Sequence, residues 1–419
     1  MPLPAPPRRM TGMITHEKER PIRRTRVRKR MVAATLTLAA LFLAGSHPSW
    51  VDAQARAAVV LFSVLKTPVL GDATRLLTPE PEVTDTDIGG SPAYVYAPGG
   101  ASGGDVAETY PVIVFINGTT PEGRELPVVR SLAEGLARSG FVVFVPDLAG
   151  LREDEISPDT VSAAKSAVRA AADHPKTRGE KILLVGASTG ATLALLVAKD
   201  PVAGDRVSSV RGLAPFTDIR TALSLATTGH HRAEDGRLLP YESDPFLSYA
   251  IARSLLAALP PGEDRDVLAA ELSGVDRSAP DPLADLRRRP TIDLGPGARA
   301  AVRFLANEDP RRVDGLYRAL PQKVRSDLEA LSPLAGEGSL EVPVELATAP
   351  RDKYFPPSES SAAARLAPDT HVTVTEALEH AEPGFELGEL GAFVALDAFV
   401  VRSLHEAADG TRGEKRGRE

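Results

Sequence analysis

The chain of 419 residues contains no cysteine. Disulfides, thiolate metal sites and a cysteine nucleophile are therefore excluded, while the compartment stays open, because an exported protein can also lack cysteine. No P-loop and no H-E-x-x-H motif occurs, which removes the usual signatures of nucleotide binding and zinc proteolysis. Net positive charge is confined to one end. Residues 1–55 hold 10 of the 49 basic residues and 3 of the 56 acidic ones, leaving 39 and 53 in 56–419, a net of −14. So acidic a body argues against nucleic acid or anionic lipid as its main partner. Methionine is absent after position 31, and translation from Met10 or Met13 would keep all of the apolar stretch described next.

The basic end has its own explanation. "RPIRRTRVRKR" (20–30) precedes "MVAATLTLAALFLAG" (31–45), and "AQA" follows at 53–55. Basic residues, an apolar core and a small-x-small site form the pattern of an export signal. As a helix, 15 residues span roughly 22 Å, short of the ~30 Å hydrocarbon core. Residues 1–55 are thus expected to be either a cleaved signal or an N-terminal membrane anchor, and the protein extracytoplasmic in both cases. "AAVVLFSVL" (57–65) adds apolar surface just downstream.

Beyond a linker and edge segment at 56–90, two periodicities alternate. "YPVIVFING" (110–118) and "FVVFVPDLAG" (141–150) read as buried strands. Residues 122–140 and 157–175 have helical spacing, the second opening on Ser-Pro, a helix start. A strand over 181–185, a helix over 189–199 and a strand over 206–216 follow. Residues 76–98 suit an antiparallel edge hairpin. Strands apolar on both faces and separated by helices imply a mostly parallel, doubly wound α/β sheet of about eight strands. The alternation breaks at 217–340, a helical insertion after the sixth strand, and resumes over 341–407 with strands near 341–350 and 371–378 and a terminal helix over 384–407. Residues 408–419 are expected to be a disordered tail. The core thus comprises 91–216 and 341–407.

Gly186-Ala187-Ser188-Thr189-Gly190 stands where a buried strand ends and a helix of small residues begins. Glycines at both ends let a sharp strand-to-helix turn pack closely and present the Ser188 hydroxyl at the C-terminal edge of the sheet. A serine nucleophile needs a base, and the base needs an orienting acid. Of eight histidines, His380 follows the C-terminal end of a predicted strand, on a loop before the last helix. Asp352 follows the strand before that one and is the preferred acid. Asp218, after strand 206–216, is the rival, though it also suits the N-cap of the insertion's first helix. For a developing oxyanion, the amides of Thr189 and Thr119 are the candidate donors. Gly118 would let the backbone approach, and the Asn117 side chain would steady that turn.

These residues together resemble the α/β-hydrolase superfamily, in its serine esterase and dienelactone-hydrolase-like branch. The resemblance runs from about 91 to 407 and rests on the GASTG turn, the Ser…Asp…His order, the Asn-Gly turn, "VPDLAG" and "LSP" (331–333). It implies an eight-stranded sheet, a cap at the insertion, a Ser188-His380-Asp352 triad, and neither cofactor nor metal. One departure is Asn117-Gly118, where the family usually has His-Gly. The function expected is hydrolysis of a small-molecule carboxylic ester. An acyltransferase on the same scaffold and a non-catalytic binding protein are the alternatives. "GPGARA" (295–300) lacks the βαβ surroundings of a dinucleotide site, and the His230-His231 pair lacks a spaced ligand set.

Overall fold

A computed structural model describes residues 48–64, 78–100, 110–177, 180–336, 338–383 and 390–416. The basic run and apolar stretch of 20–45 lie outside them. The chain divides into two units, Met1–Val51 and Asp52–Glu419, and the description below concerns the second. No helix among the described residues is long and apolar enough to cross a membrane.

Eight strands form one sheet: β1 (Glu82–Ile88), β2 (Ser91–Ala97), β3 (Val112–Ile116), β4 (Val142–Pro146), β5 (Ile182–Ala187), β6 (Val207–Leu213), β9 (Val344–Thr348) and β10 (Thr370–Val374). Their spatial order is β1-β2-β4-β3-β5-β6-β9-β10. The β1–β2 and β2–β4 pairs are antiparallel and all others parallel. Every residue of β3, β4 and β9 is buried, as strands covered on both faces must be. The edge hairpin closes on Gly89-Gly90, both at positive φ (62° and 86°), the backbone that a two-residue turn matching the strand twist requires. β1 starts at Glu82, inside the 56–90 segment expected as linker and edge, and the hairpin lies within the 76–98 expected for it, so the boundary expected at 90 falls in the hairpin turn.

Local signals decide the helix starts. Pro158–Ala172 opens on Ser157, whose side chain accepts from the Thr160 amide while Thr160 answers the Ser157 amide. Asp218 caps Ile219–Thr228 by accepting from the Arg220 amide at 2.8 Å. The last helix runs Leu390–Arg416, past the end expected at 407.

Helix Pro48–Val64 also belongs, from Asp52 on, to the folded body. Leu61 packs with Ala347, Ala349, Leu396 and Phe399. Gln54 Nε2 donates to both carboxylate oxygens of Asp397 at 3.0 Å. The small-x-small residues Ala53 and Ala55 therefore lie within a helix, with Ala53 buried.

Between β6 and β9 the chain makes a short ribbon, β7 (His230–Arg232) with β8 (Leu238–Pro240), and seven of the described helices, from Ile219–Thr228 to Gln322–Glu329. Its two stems meet. The Ile219 amide donates to Ser332 Oγ at 2.8 Å, and the Leu334 amide to the Thr217 carbonyl at 3.1 Å. Beside them Glu359, from helix Pro357–Ala362, accepts from the amides of Thr217 (2.7 Å) and Asp218 (3.0 Å) and from the Thr217 hydroxyl (3.1 Å). Burial pushes this carboxyl above its ordinary 4.5, and the charge of Asp218 acts in the same direction, outweighing the bonds that favour ionisation.

A folded-state value above the unfolded one means that the native protein holds more protons once the pH passes about 4.5, so this group's contribution to stability is lost as pH rises. Glu359→Gln keeps an accepting oxygen and cannot ionise. Thermal unfolding from about pH 4 to about pH 8 should show its Tm gaining on the wild type toward neutral pH. Parallel curves would show that Glu359 ionises freely in place.

Candidate active site

The turn after β5 is strained. Ser188 sits at φ 53°, ψ −124°, a conformation that few side chains adopt, and its amide donates to the Leu213 carbonyl at 2.7 Å. Its neighbours explain the glycines. A Cβ on Gly190 would lie 2.0 Å from the Ile116 carbonyl oxygen, and one on Gly186 2.4 Å from the Gly190 oxygen. Only bare Cα atoms allow β3, β5 and the following helix to approach this closely.

The Asn117-Gly118 turn after β3 lies against the serine: a Cβ on Gly118 would be 3.2 Å from Ser188 Cβ and from the Ala187 carbonyl. Asn117 is buried and donates from Nδ2 to the Gly123 carbonyl at 3.2 Å, bracing the loop that carries Thr119. The Thr120 amide donates to the Leu151 carbonyl at 2.9 Å. Thr189 is the first residue of helix Thr189–Lys199, a position whose amide has no partner within the helix.

Asp352 and His380 come from the loops after β9 and β10, the adjacent strands at the far side of the sheet. The turn that follows β10 is begun by the Thr375 amide donating to the Thr348 carbonyl at 2.9 Å. His380 occupies a turn between the short pair Leu378–Glu379 and Glu382–Pro383, at a left-handed φ of 60°. Asp352 is 2% and His380 6% exposed. His380 Nδ1 lies 2.8 Å from Asp352 Oδ2 and 3.0 Å from Oδ1. A carboxylate can only accept, so Nδ1 carries a proton in this pair, and in the neutral imidazole Nε2 is then the nitrogen with the lone pair. Asp352 Oδ1 also accepts from the amides of Tyr354 (2.9 Å) and Phe355 (3.0 Å). The Tyr354 ring stands edge-on to the imidazole, centroids 4.5 Å apart.

Nε2 itself is buried and has no hydrogen-bond partner among the described residues, so the bond expected between His380 and Ser188 is not made in this conformation. Bonds of this kind are often long or misaligned until substrate is seated. Asp218, the rival acid, is occupied as a cap. Two cavities of about 340 and 430 Å³ lie within the insertion, one beside Glu271 and Arg289 and one beside Pro260 and Gly295, and neither is lined by Ser188, Asp352 or His380. Among the described residues no three metal-ligating side chains converge.

Comparison with known proteins agrees with this architecture. The model of the alpha/beta hydrolase family matches residues 113–386, about two thirds of the chain. This chain belongs to the alpha/beta hydrolase family. No curated protein matches it. Among solved structures, an esterase from Pyrobaculum calidifontis is 16% identical over 85% of this chain and 90% of its own, with a TM-score of 0.42. Est1E from Butyrivibrio proteoclasticus is 14% identical over 78% and 99%, with a TM-score of 0.40. A dienelactone hydrolase from Anabaena variabilis is 14% identical over 77% and 96%, with a TM-score of 0.37.

Two features of this hydrolase-family site escaped the sequence. The insertion's Tyr241 reaches the Asp352 loop, and Tyr354 packs on the histidine. Neither lies in a periodic element or a motif, so only their contacts reveal them. Gly190→Ala tests the close approach. Its Cβ would displace backbone, not a flexible side chain, and should cost about 3 kcal/mol or more in urea unfolding. A loss under about 0.5 kcal/mol would mean that the turn has slack.

Proposed function

We propose that the chain is a serine hydrolase that cleaves a carboxylic ester through an acyl-enzyme intermediate. The observation that carries this reading is the buried Asp352–His380 pair, at the same sheet edge as the left-handed turn at Ser188. Ser188 Oγ attacks the ester carbonyl as His380 Nε2 takes its proton. Asp352 holds the imidazole with Nδ1–H toward the carboxylate and stabilises the imidazolium that forms. The amides of Thr119 and Thr189 donate to the tetrahedral oxyanion. His380 then protonates the leaving alcohol, and water, deprotonated by the same nitrogen, releases the acid. No step calls on a cofactor or a metal.

The full chain in mild detergent, treated with a fluorophosphonate, should be labelled on Ser188, and Ser188→Ala should not. Mass spectrometry of the labelled peptide decides it. Absence of label on folded wild type would remove the hydrolase reading and leave a binding role on the same fold.

We further infer that the protein is extracytoplasmic and retains residues 1–55 as a membrane-associating anchor. Cleavage after Ala55 would remove Asp52–Ala55 from the folded body, with the buried Ala53 and the Gln54–Asp397 bonds. The intact mass of protein recovered from the membrane fraction should include the segment. A mature form starting at Arg56 in the soluble fraction would overturn retention.

A further inference from the structure

The loop that carries Asp352 is held from two directions. Its amides at Tyr354 and Phe355 turn inward to the Asp352 carboxylate. Its carbonyls turn outward and are taken by the insertion. The Tyr241 hydroxyl shares its proton between the Asp352 carbonyl, in a very short contact, and the Phe355 carbonyl at 3.1 Å. The Asp244 amide donates to the Lys353 carbonyl at 2.6 Å. Tyr241 is itself fixed: its amide donates to the Gly229 carbonyl at 2.8 Å, and its ring meets that of His231 edge-on at 6.1 Å. Burial, with the charge of Asp352 beside it, raises the phenol further above its ordinary value, so it keeps the proton that it donates to these carbonyls.

Nothing in the sheet takes over this task. β9 ends at Thr348, and the acid stands four residues beyond it. A carboxylate that must meet Nδ1 at 2.8 Å needs its backbone fixed to a fraction of an ångström. We propose that Tyr241, supplied by the insertion, is a positioning residue for Asp352 and, through it, for His380. The insertion then does more than cover the sheet edge, because it completes the geometry of the acid–base pair. This inference rests on the proposed serine-hydrolase reading.

Tyr241→Phe removes one oxygen and keeps the ring against His231, so the fold is retained. Three quantities are measured on the full chain: kcat and KM with p-nitrophenyl acetate, Tm, and the far-downfield proton resonance of His380 Nδ1–H. The expected result is a kcat about tenfold to a hundredfold lower with KM within about twofold, and a downfield resonance that shifts or broadens. Ser248→Ala, which deletes another bond of the insertion, to the Ala226 carbonyl, should lower Tm and leave kcat and the resonance alone. If Tyr241→Phe behaves like Ser248→Ala, its hydroxyl is structural and the proposal falls while the hydrolase reading stands. If the wild type has no esterase activity, the hydrolase reading falls, and the resonance alone still decides whether Tyr241 positions the pair: unchanged in the variant, it overturns the proposal.

Discussion

The buried carboxylate of Asp352 is the constraint around which the site is arranged. An ionised group almost wholly removed from water is tolerated only when charge-assisted hydrogen bonds replace its hydration. Here two amides and one imidazole N–H replace it. That requirement curls residues 352–355 into a tight loop, turns their carbonyls away from the carboxylate, and leaves those carbonyls to find donors elsewhere. The insertion provides them. One buried carboxylate thus links β9, the His380 turn and the stretch from Tyr241 to Asp244, the last of them more than a hundred residues away in the chain.

A second buried carboxylate ties the insertion to the sheet. Glu359 accepts the amides of Thr217 and Asp218, just beyond β6 where the chain departs into the insertion, and the stems close beside it through Ser332 and Leu334. Glu359 meets neutral donors and the nearby negative Asp218, so burial prevails there and its carboxyl is pushed above the ordinary value.

The turn at Ser188 depends on close packing. The absence of side chains at Gly186 and Gly190 lets backbone touch backbone across β3, β5 and the next helix. The same approach brings the Asn117-Gly118 turn against Ser188, so the position of the proposed oxyanion donors and the strain at the serine have a common origin. An Asn in place of the family's usual His is accommodated because its side chain braces the loop through the Gly123 carbonyl and leaves the backbone course to the glycine.

Much of this was legible in the residues alone. The alternation of apolar β-branched runs with helical spacing determined a parallel sheet, because a strand buried on both faces has to be apolar throughout, and Ser157 and Asp218 announced the helices they cap. Ser188, Asp352 and His380 could be named as candidates, with Asp352 preferred to Asp218, because each was expected to follow a strand of that sheet. Tertiary structure alone decided the rest. Whether Ala53 and Gln54 belong to a signal or to the body depends on Leu61 and Asp397 contacts that no local pattern encodes. The contacts of Glu359 and Tyr241 and the unpartnered Nε2 are facts of approach between distant segments. Sequence spacing reports which face of an element is apolar; it does not report which carbonyl a phenol hydroxyl will reach.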